Sequence, residues 1–342
     1  MKIVNTKHLL LILFLGIQTV SAQKVKEFFK SLYKEKDSTY ITVFNESIIS
    51  KISVNTQANV LTILDNQKAA YRLVTNNNYR VNLSVDYDFL GFSYGFAPDF
   101  IPENNDDDRR GSSALKELNF RFIFRRWIQT IQNKTEKGFY AENTKDLLDN
   151  WNADNDTFIL FPELQTKLWE GTTSFLFNPN FSIKNSLNNN EWQRKSAGSF
   201  IPTLKYSYSE ISSDFEALKK HNQTLQFYLI PNYFYTWVIK ENWFITTTAG
   251  AAFGLNFALQ SNFEKTDTYI PFLINGSLQG GYNSNNLTFG ANLLINSTHH
   301  NYFNKESVIN DNVYFNFYLG YRFNSPKSVK TFFKKVKRKI GI

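Results

Sequence analysis

The chain contains no cysteine, one methionine, 8 prolines and 15 glycines. Without cysteine there is no disulfide framework, no thiolate metal site and no lipidated cysteine behind an export signal. Long apolar runs are also scarce. The best of them, Leu9 to Val20, falls short of the roughly 18 residues that a transmembrane helix needs, and no later stretch does better. A helical membrane protein is therefore excluded. Histidine is rare, with 4 residues.

What is present begins with an export signal. Lys2 and Lys7 precede the Leu9–Val20 run, and Ser21-Ala22 before Gln23 offers a small-residue cleavage site. An exported chain without spanning helices is either soluble or a β-barrel. Aromatic residues make up 17% of the chain, 33 Phe, 18 Tyr and 6 Trp, yet the mean hydropathy is −0.37. A barrel reconciles the two numbers: aromatics face lipid and form interfacial girdles, while polar residues line the lumen.

Period-two patterning is clearest in Asn312–Phe323. Val313, Phe315, Phe317, Leu319, Tyr321 and Phe323 share one face; Tyr314, Asn316, Tyr318, Gly320 and Arg322 share the other. Further strands read at 48–64, where alternation is imperfect, at 79–97, where a turn near Leu90-Gly91 leads into a return strand, and at 118–125, 127–140, 158–168, 171–184, 198–209, 223–239, 243–259, 269–282 and 286–296. The expected fold is all-β, a transmembrane antiparallel up-and-down barrel of about 12 strands, within roughly 10 to 14. Lys240–Asn242 and Asn283–Asn285 read as periplasmic turns. Residues 98–114, 141–157 and 297–311 read as extracellular loops. The division is signal peptide 1–22, amphipathic lead-in 23–47, barrel 48–323 and basic tail 324–342.

The net charge of +8 sits at the ends. Residues 38–323 hold 24 basic and 27 acidic residues, net −3, so nothing points to nucleic acid. The tail carries seven cations and no acid, with Val329, Phe332, Phe333, Val336 and Ile340 as an apolar stripe. Phe332, Phe333, Lys334, Lys335, Lys337 and Arg338 are the candidate membrane-surface residues, and an acidic periplasmic partner is the other reading. Lys24–Lys36, with Val25, Phe28, Phe29 and Leu32, reads as a second short amphipathic helix.

Phe175-Leu-Phe-Asn-Pro-Asn-Phe-Ser-Ile-Lys184 followed by Gln193-Arg-Lys-Ser-Ala-Gly-Ser-Phe200 resembles the signature of the domain of unknown function 4421 family. Asp37–Ile41, Gly91–Tyr94 and Lys137–Tyr140 resemble further pieces of it, over roughly 37–323. The resemblance implies an outer-membrane β-barrel of a Bacteroidota-type envelope and implies no catalytic residue.

Chemistry is thin. His8 lies in the signal, His221 in a polar connection and His299-His300 in the expected 297–311 loop, with Ser297 nearby; no hydrolase-like His-Asp-Ser block is evident. Glu103–Asp108 and Asp149–Asp156 are oxygen-rich but lack the Gly and terminal Glu of an EF-hand loop. No metal and no cofactor are expected. Arg121 and Arg125 are expected in the lumen, opposite Phe120, Phe122 and Phe124, joined by Arg80 and Arg322, with Asp86, Asp88 and Glu170 as counter-charges. These residues would either select permeants in a narrow channel or fill a closed interaction barrel with ion pairs; a lipid hydrolase is the remote reading. The expected partners are outer-membrane lipids and the barrel-assembly machinery, which would read Asn312–Phe323 from within the chain.

Overall fold

The computed structural model describes residues 36–340 apart from 45, 66–68, 214–222, 260–265 and 302–306. The signal segment, residues 24–35 of the expected Lys24–Lys36 helix, and His221 lie outside the described residues. The strands are β1 (Ile41–Val43), β2 (Ser47–Asn59), β3 (Leu61–Asp65), β4 (Ala69–Val74), β5 (Arg80–Tyr87), β6 (Leu90–Phe96), β7 (Ala114–Phe124), β8 (Trp127–Ala141), β9 (Leu160–Phe175), β10 (Glu191–Gln193), β11 (Ala197–Ser212), β12 (Gln223–Lys240), β13 (Trp243–Leu259), β14 (Thr266–Tyr269), β15 (Phe272–Asn283), β16 (Leu287–Asn301) and β17 (Ser307–Asn324). The helices are α1 (Asp107–Arg110), α2 (Thr144–Leu147), α3 (Ile183–Leu187) and α4 (Lys327–Ile340).

Twelve of these strands form one antiparallel ring: β2, β5, β6, β7, β8, β9, β11, β12, β13, β15, β16 and β17. The first ring strand pairs with the last, Ser47 opposite Asn324 through Asn59 opposite Asn312. With β8 also pairing to β9, no ring strand keeps an open edge. That closure is what a bilayer demands, because lipid offers no partner to a bare backbone amide.

Side chains sort by strand phase. On β17, Phe317, Leu319 and Tyr321 are more than half exposed on the outer wall, while Tyr318 and Arg322 are buried inside. An aromatic girdle marks one end, where Trp127 meets Phe175, Tyr235 meets Trp237, and Trp243 meets Tyr282. The segment from Asp37 and the helix α4 are at this end, called the base here; the longer connections are at the other, the loop end.

The structure departs from the sequence reading in three places. The expected strand 171–184 stops at Phe175, and 158–168 and 171–175 are one continuous strand, β9. The expected loop 297–311 is instead the continuation of a hairpin, with His299 opposite Ile309 and His300 opposite Val308. Beyond the lipid belt a paired strand needs no apolar face, so the alternation fades while the ladder continues. Third, β3 and β4 fold across the loop end until Leu73 pairs with Ala141 of β8. Leu73, Phe139, Ala141 and Leu164 bury together there.

Helix α4 lies against the base rim. Phe333 packs on Tyr87 at 4.7 Å and on Phe89 at 5.5 Å. Lys330 pairs with Glu46, and Lys337 with Asp88. The Lys330 ammonium holds the exposed Glu46 carboxyl below its ordinary value. A lowered carboxylate pKa favours the docked helix above the ordinary value, and that contribution disappears as pH falls through the lowered one.

Two outcomes are expected. Phe317→Arg, in the middle of the lipid-facing strip of β17, should cost about 2–4 kcal/mol in urea unfolding from vesicles. A spin-label distance between α4 and the Asp88 turn should be narrow at neutral pH and broaden under acid. In Glu46→Gln the response to acid should be smaller, because Lys330 then has no carboxylate to lose.

Candidate functional site

The site is the lumen, and its base is filled by the chain itself. After β9, residues 176–196 turn inward instead of crossing directly to β11. Asn178 starts the turn: its Oδ1 accepts from the Asn180 amide at 3.0 Å, and its Nδ2 donates to the Gly198 carbonyl at 2.7 Å. A Cβ on Gly198 would meet the Tyr233 hydroxyl at 2.6 Å, so this position must be glycine for the two strands to pack there. Leu176, Phe181 and Ile183 then bury against Ile123, Ile128, Ala197 and Ile201.

α3 is capped by Ser182, whose side chain accepts from the Asn185 amide at 3.0 Å and donates to Glu191 Oε2 at 2.6 Å. Gln193 accepts from the Ser182 amide at 2.6 Å and donates to the Asn180 and Lys195 carbonyls, each at 2.8 Å. β10 pairs with β1, Ile41 opposite Gln193 and Val43 opposite Glu191, which ties the segment leading into the barrel to the same plug.

The barrel wall grips this plug through buried polar groups. Arg322 donates to the Asn285 carbonyl at 2.8 Å, to Asn283 Oδ1 at 2.9 Å, and to the Ser284 and Asn189 carbonyls; its guanidinium lies 3.7 Å from the centre of the Phe44 ring. Asn283 donates to Asn185 Oδ1 at 3.1 Å and to the Glu191 carbonyl at 2.9 Å. Lys51 donates to the Leu187 carbonyl at 3.3 Å and to Asn189 Oδ1 at 3.2 Å. Gln279 exchanges bonds with Ser186 at 2.6 and 3.2 Å. Lys184 reaches the Asp88 carbonyl at 2.6 Å.

Beside the plug, Arg121 makes a two-oxygen contact with Asp86 at 2.9 and 3.1 Å, and Asn188 of the plug donates to the same carboxylate at 3.2 Å. Gly91 makes room for it: a Cβ there would sit 1.9 Å from Asp86 Oδ1. Here begins a cavity of about 210 Å³, walled by Lys51, Arg121, Ser186, Asn189, Gln279 and Asn316 among others. A second cavity of about 530 Å³ lies toward the loop end, and Glu117 and Tyr314 line both. Several of its charges are paired in place. Glu136 takes Arg80 at 2.6 Å and Lys134 at 2.8 Å, and Lys205 meets Glu170 at 2.8 Å. Val60 and Leu61, from the chain that crosses the loop end, line its roof.

The structure therefore separates the residues singled out from sequence. Arg121 and Asp86 meet in the lower lumen beside the plug; Arg80 stands near the loop end, and Arg322 is at the base, bonded to the Asn189 carbonyl of the plug. Arg125 and Asp88 are corrections to a lumen placement. Each occupies a turn at the base, with φ of 55° and 57°, because a two-residue connection needs left-handed backbone there. The tail set divides too. Phe333 and Lys337 face the barrel, whereas Phe332, Lys334, Lys335 and Arg338 are exposed. Lys51, Lys134, Glu136, Lys205, Gln279 and the Asn188–Asn190 run were not singled out. Their signal was present: Lys134 and Glu136 share the inward phase of β8, and three successive asparagines do not continue a strand.

The acidic clusters are occupied locally. Asp106 pairs with Arg110 at 3.0 Å, Asp107 accepts from Asn76 at 3.0 Å, and Asp156 accepts from the Asn152 amide at 2.7 Å.

Arg322→Ala should remove several charged hydrogen bonds at once and destabilise the barrel by about 2–4 kcal/mol in urea unfolding. Trypsin should then cut at Arg194 and Lys195 faster than in the unaltered protein.

No curated protein matches the chain. Among solved structures, a bacterial polysaccharide outer-membrane secretin shares 13% identity at TM-score 0.36, covering 83% of this chain and 100% of that one. The outer-membrane protease OmpT of Escherichia coli shares 9% at 0.32, covering 83% and 98%. An outer-membrane channel of Pseudomonas putida F1 shares 9% at 0.34, covering 85% and 100%. Likenesses this low, to proteins of such different kinds, carry no activity over to this chain. The plug and the strands around it fall inside the span of a family model that matches residues 35–323, and the chain belongs to that family, described as a domain of unknown function (DUF4421).

Proposed function

We propose that this protein is a non-enzymatic, self-plugged barrel of a Gram-negative outer membrane. In this reading its loop end faces outward, its base faces the periplasm, and its work is structural or interactive rather than conductive. The observation that carries the reading is the inward fold of residues 176–196, held by Arg322, Asn283, Lys51 and Gln279 from the surrounding wall. A permeant passing the base would have to break buried, charge-assisted hydrogen bonds worth roughly 1.5–3 kcal/mol each. The ion pairs of the lumen support the same reading, since Glu136, Glu170 and Asp86 each already hold a cation. The signal-like segment from Lys2 to Ala22 supports export.

A second reading, a narrow pore, draws on one feature. The two cavities share Glu117 and Tyr314 in their walls, so they adjoin in the lumen beside the plug. In that reading the plug is the gate and Arg121 the selector.

Planar bilayers separate the two. The purified full chain should be electrically silent. Replacing residues 179–195 with a short Gly-Ser linker should produce stepwise conductance. Stepwise current from the unaltered protein, changed in size by Arg121→Ala, would establish the pore instead.

A further inference from the structure

We infer that α4 is an interfacial helix that binds the anionic headgroups of phospholipids in the leaflet at the base of the barrel. Its position carries the first part of the argument. Pairing places Phe323 opposite Ile48, and Ile48 opposite Tyr87, so these three share one level of the wall. Phe323 is on the lipid-facing phase of β17. Tyr87 continues the lipid-facing phase of Leu83 and Val85 on β5, yet it is 8% exposed, because Phe333 covers it at 4.7 Å. The helix therefore packs on the outer side of the wall, at the level of the aromatic girdle. It runs along the rim from Lys330 at Glu46 to Lys337 at Asp88. That is the level at which headgroups surround a barrel.

Charge supplies the occupant. The inner face of the helix is spent on the barrel: Phe333 on Tyr87 and Phe89, Lys330 on Glu46, Lys337 on Asp88. Lys334, Lys335, Arg338 and Lys339 are left exposed around the remaining circumference, with Phe332 62% exposed among them. The helix holds no acidic residue to offset them. An aromatic ring beside four cations that have no carboxylate partner among the described residues, set tangentially on a lipid-facing wall, matches an anionic interface: the ring enters the acyl boundary and the cations meet phosphate. An acidic protein partner would suit a helix projecting away from the membrane better than one laid along the rim.

The test uses the full chain in neutral detergent micelles, titrated with fluorescent phosphatidylglycerol or with phosphatidylcholine of the same acyl length. Phosphatidylglycerol should bind and phosphatidylcholine should not at the same concentration. Raising NaCl from about 50 to about 500 mM should weaken binding at least tenfold, as screening requires. With each cation worth about a fivefold change near an anionic surface, the K334Q/K335Q/R338Q/K339Q variant should lose a hundredfold or more. Phe332→Ser should weaken binding a few-fold at both salt concentrations. Heat-modifiable gel migration reports whether each variant keeps its barrel; if the quadruple variant does not, the headgroup and salt series on the unaltered chain decide alone. Equal binding of the two lipids overturns the inference. So does unchanged phosphatidylglycerol binding in a folded quadruple variant. Capture of a poly-glutamate peptide in place of the lipid would also overturn it, giving the surface to an acidic protein.

Discussion

Backbone hydrogen bonding in a medium without water is the constraint from which the rest of this structure follows. Each ring strand meets a neighbour on both sides, and the circle is completed by β2 on β17. Once the ring is closed, the phase of every strand is fixed, because a one-residue slip would turn the phenylalanines of β17 into the lumen and Arg322 toward lipid. The exposed apolar wall and the polar interior are thus two consequences of one pairing scheme. The girdle at the base marks where the apolar belt ends.

Closure creates an interior that must then be filled or wetted. A ring of twelve strands is too wide for its own inward side chains to close it. This chain fills the base with a piece of itself and pairs several of the remaining charges in place. Buried ions in such a space are tolerable only when paired or multiply hydrogen-bonded. Glu136 between Arg80 and Lys134 shows the first solution, and Arg322 among carbonyls shows the second. Two glycines sit at tight approaches: Gly91 admits the Asp86–Arg121 contact, and Gly198 lets β11 and β12 pack closely beside the plug.

The plug also explains why the segment Phe175–Phe200, which carries the likeness to the family, looks little like a strand. Asn178, Asn180, Ser182, Asn185 and Gln193 are there for local bonds that cap, turn and anchor a short helix inside a cylinder. A strand reading from 171 to 184 runs on through this segment past Phe181. Phe181 instead belongs to an apolar cluster at the base, fully buried.

Strand alternation, the scarcity of long apolar runs and the wealth of aromatics were enough by themselves to determine a barrel of about twelve strands, its lipid face and the inward phase of Arg121 and Arg322. Those features follow from local periodicity, and the bilayer imposes that periodicity on every strand separately. Which inward groups meet was decided only by the tertiary structure. Arg322 finds Asn189 across 133 positions, and Lys330 finds Glu46 across 284. Such pairings depend on how the ring closes and on a segment that abandons alternation to fold inside it, and no window of sequence contains both partners.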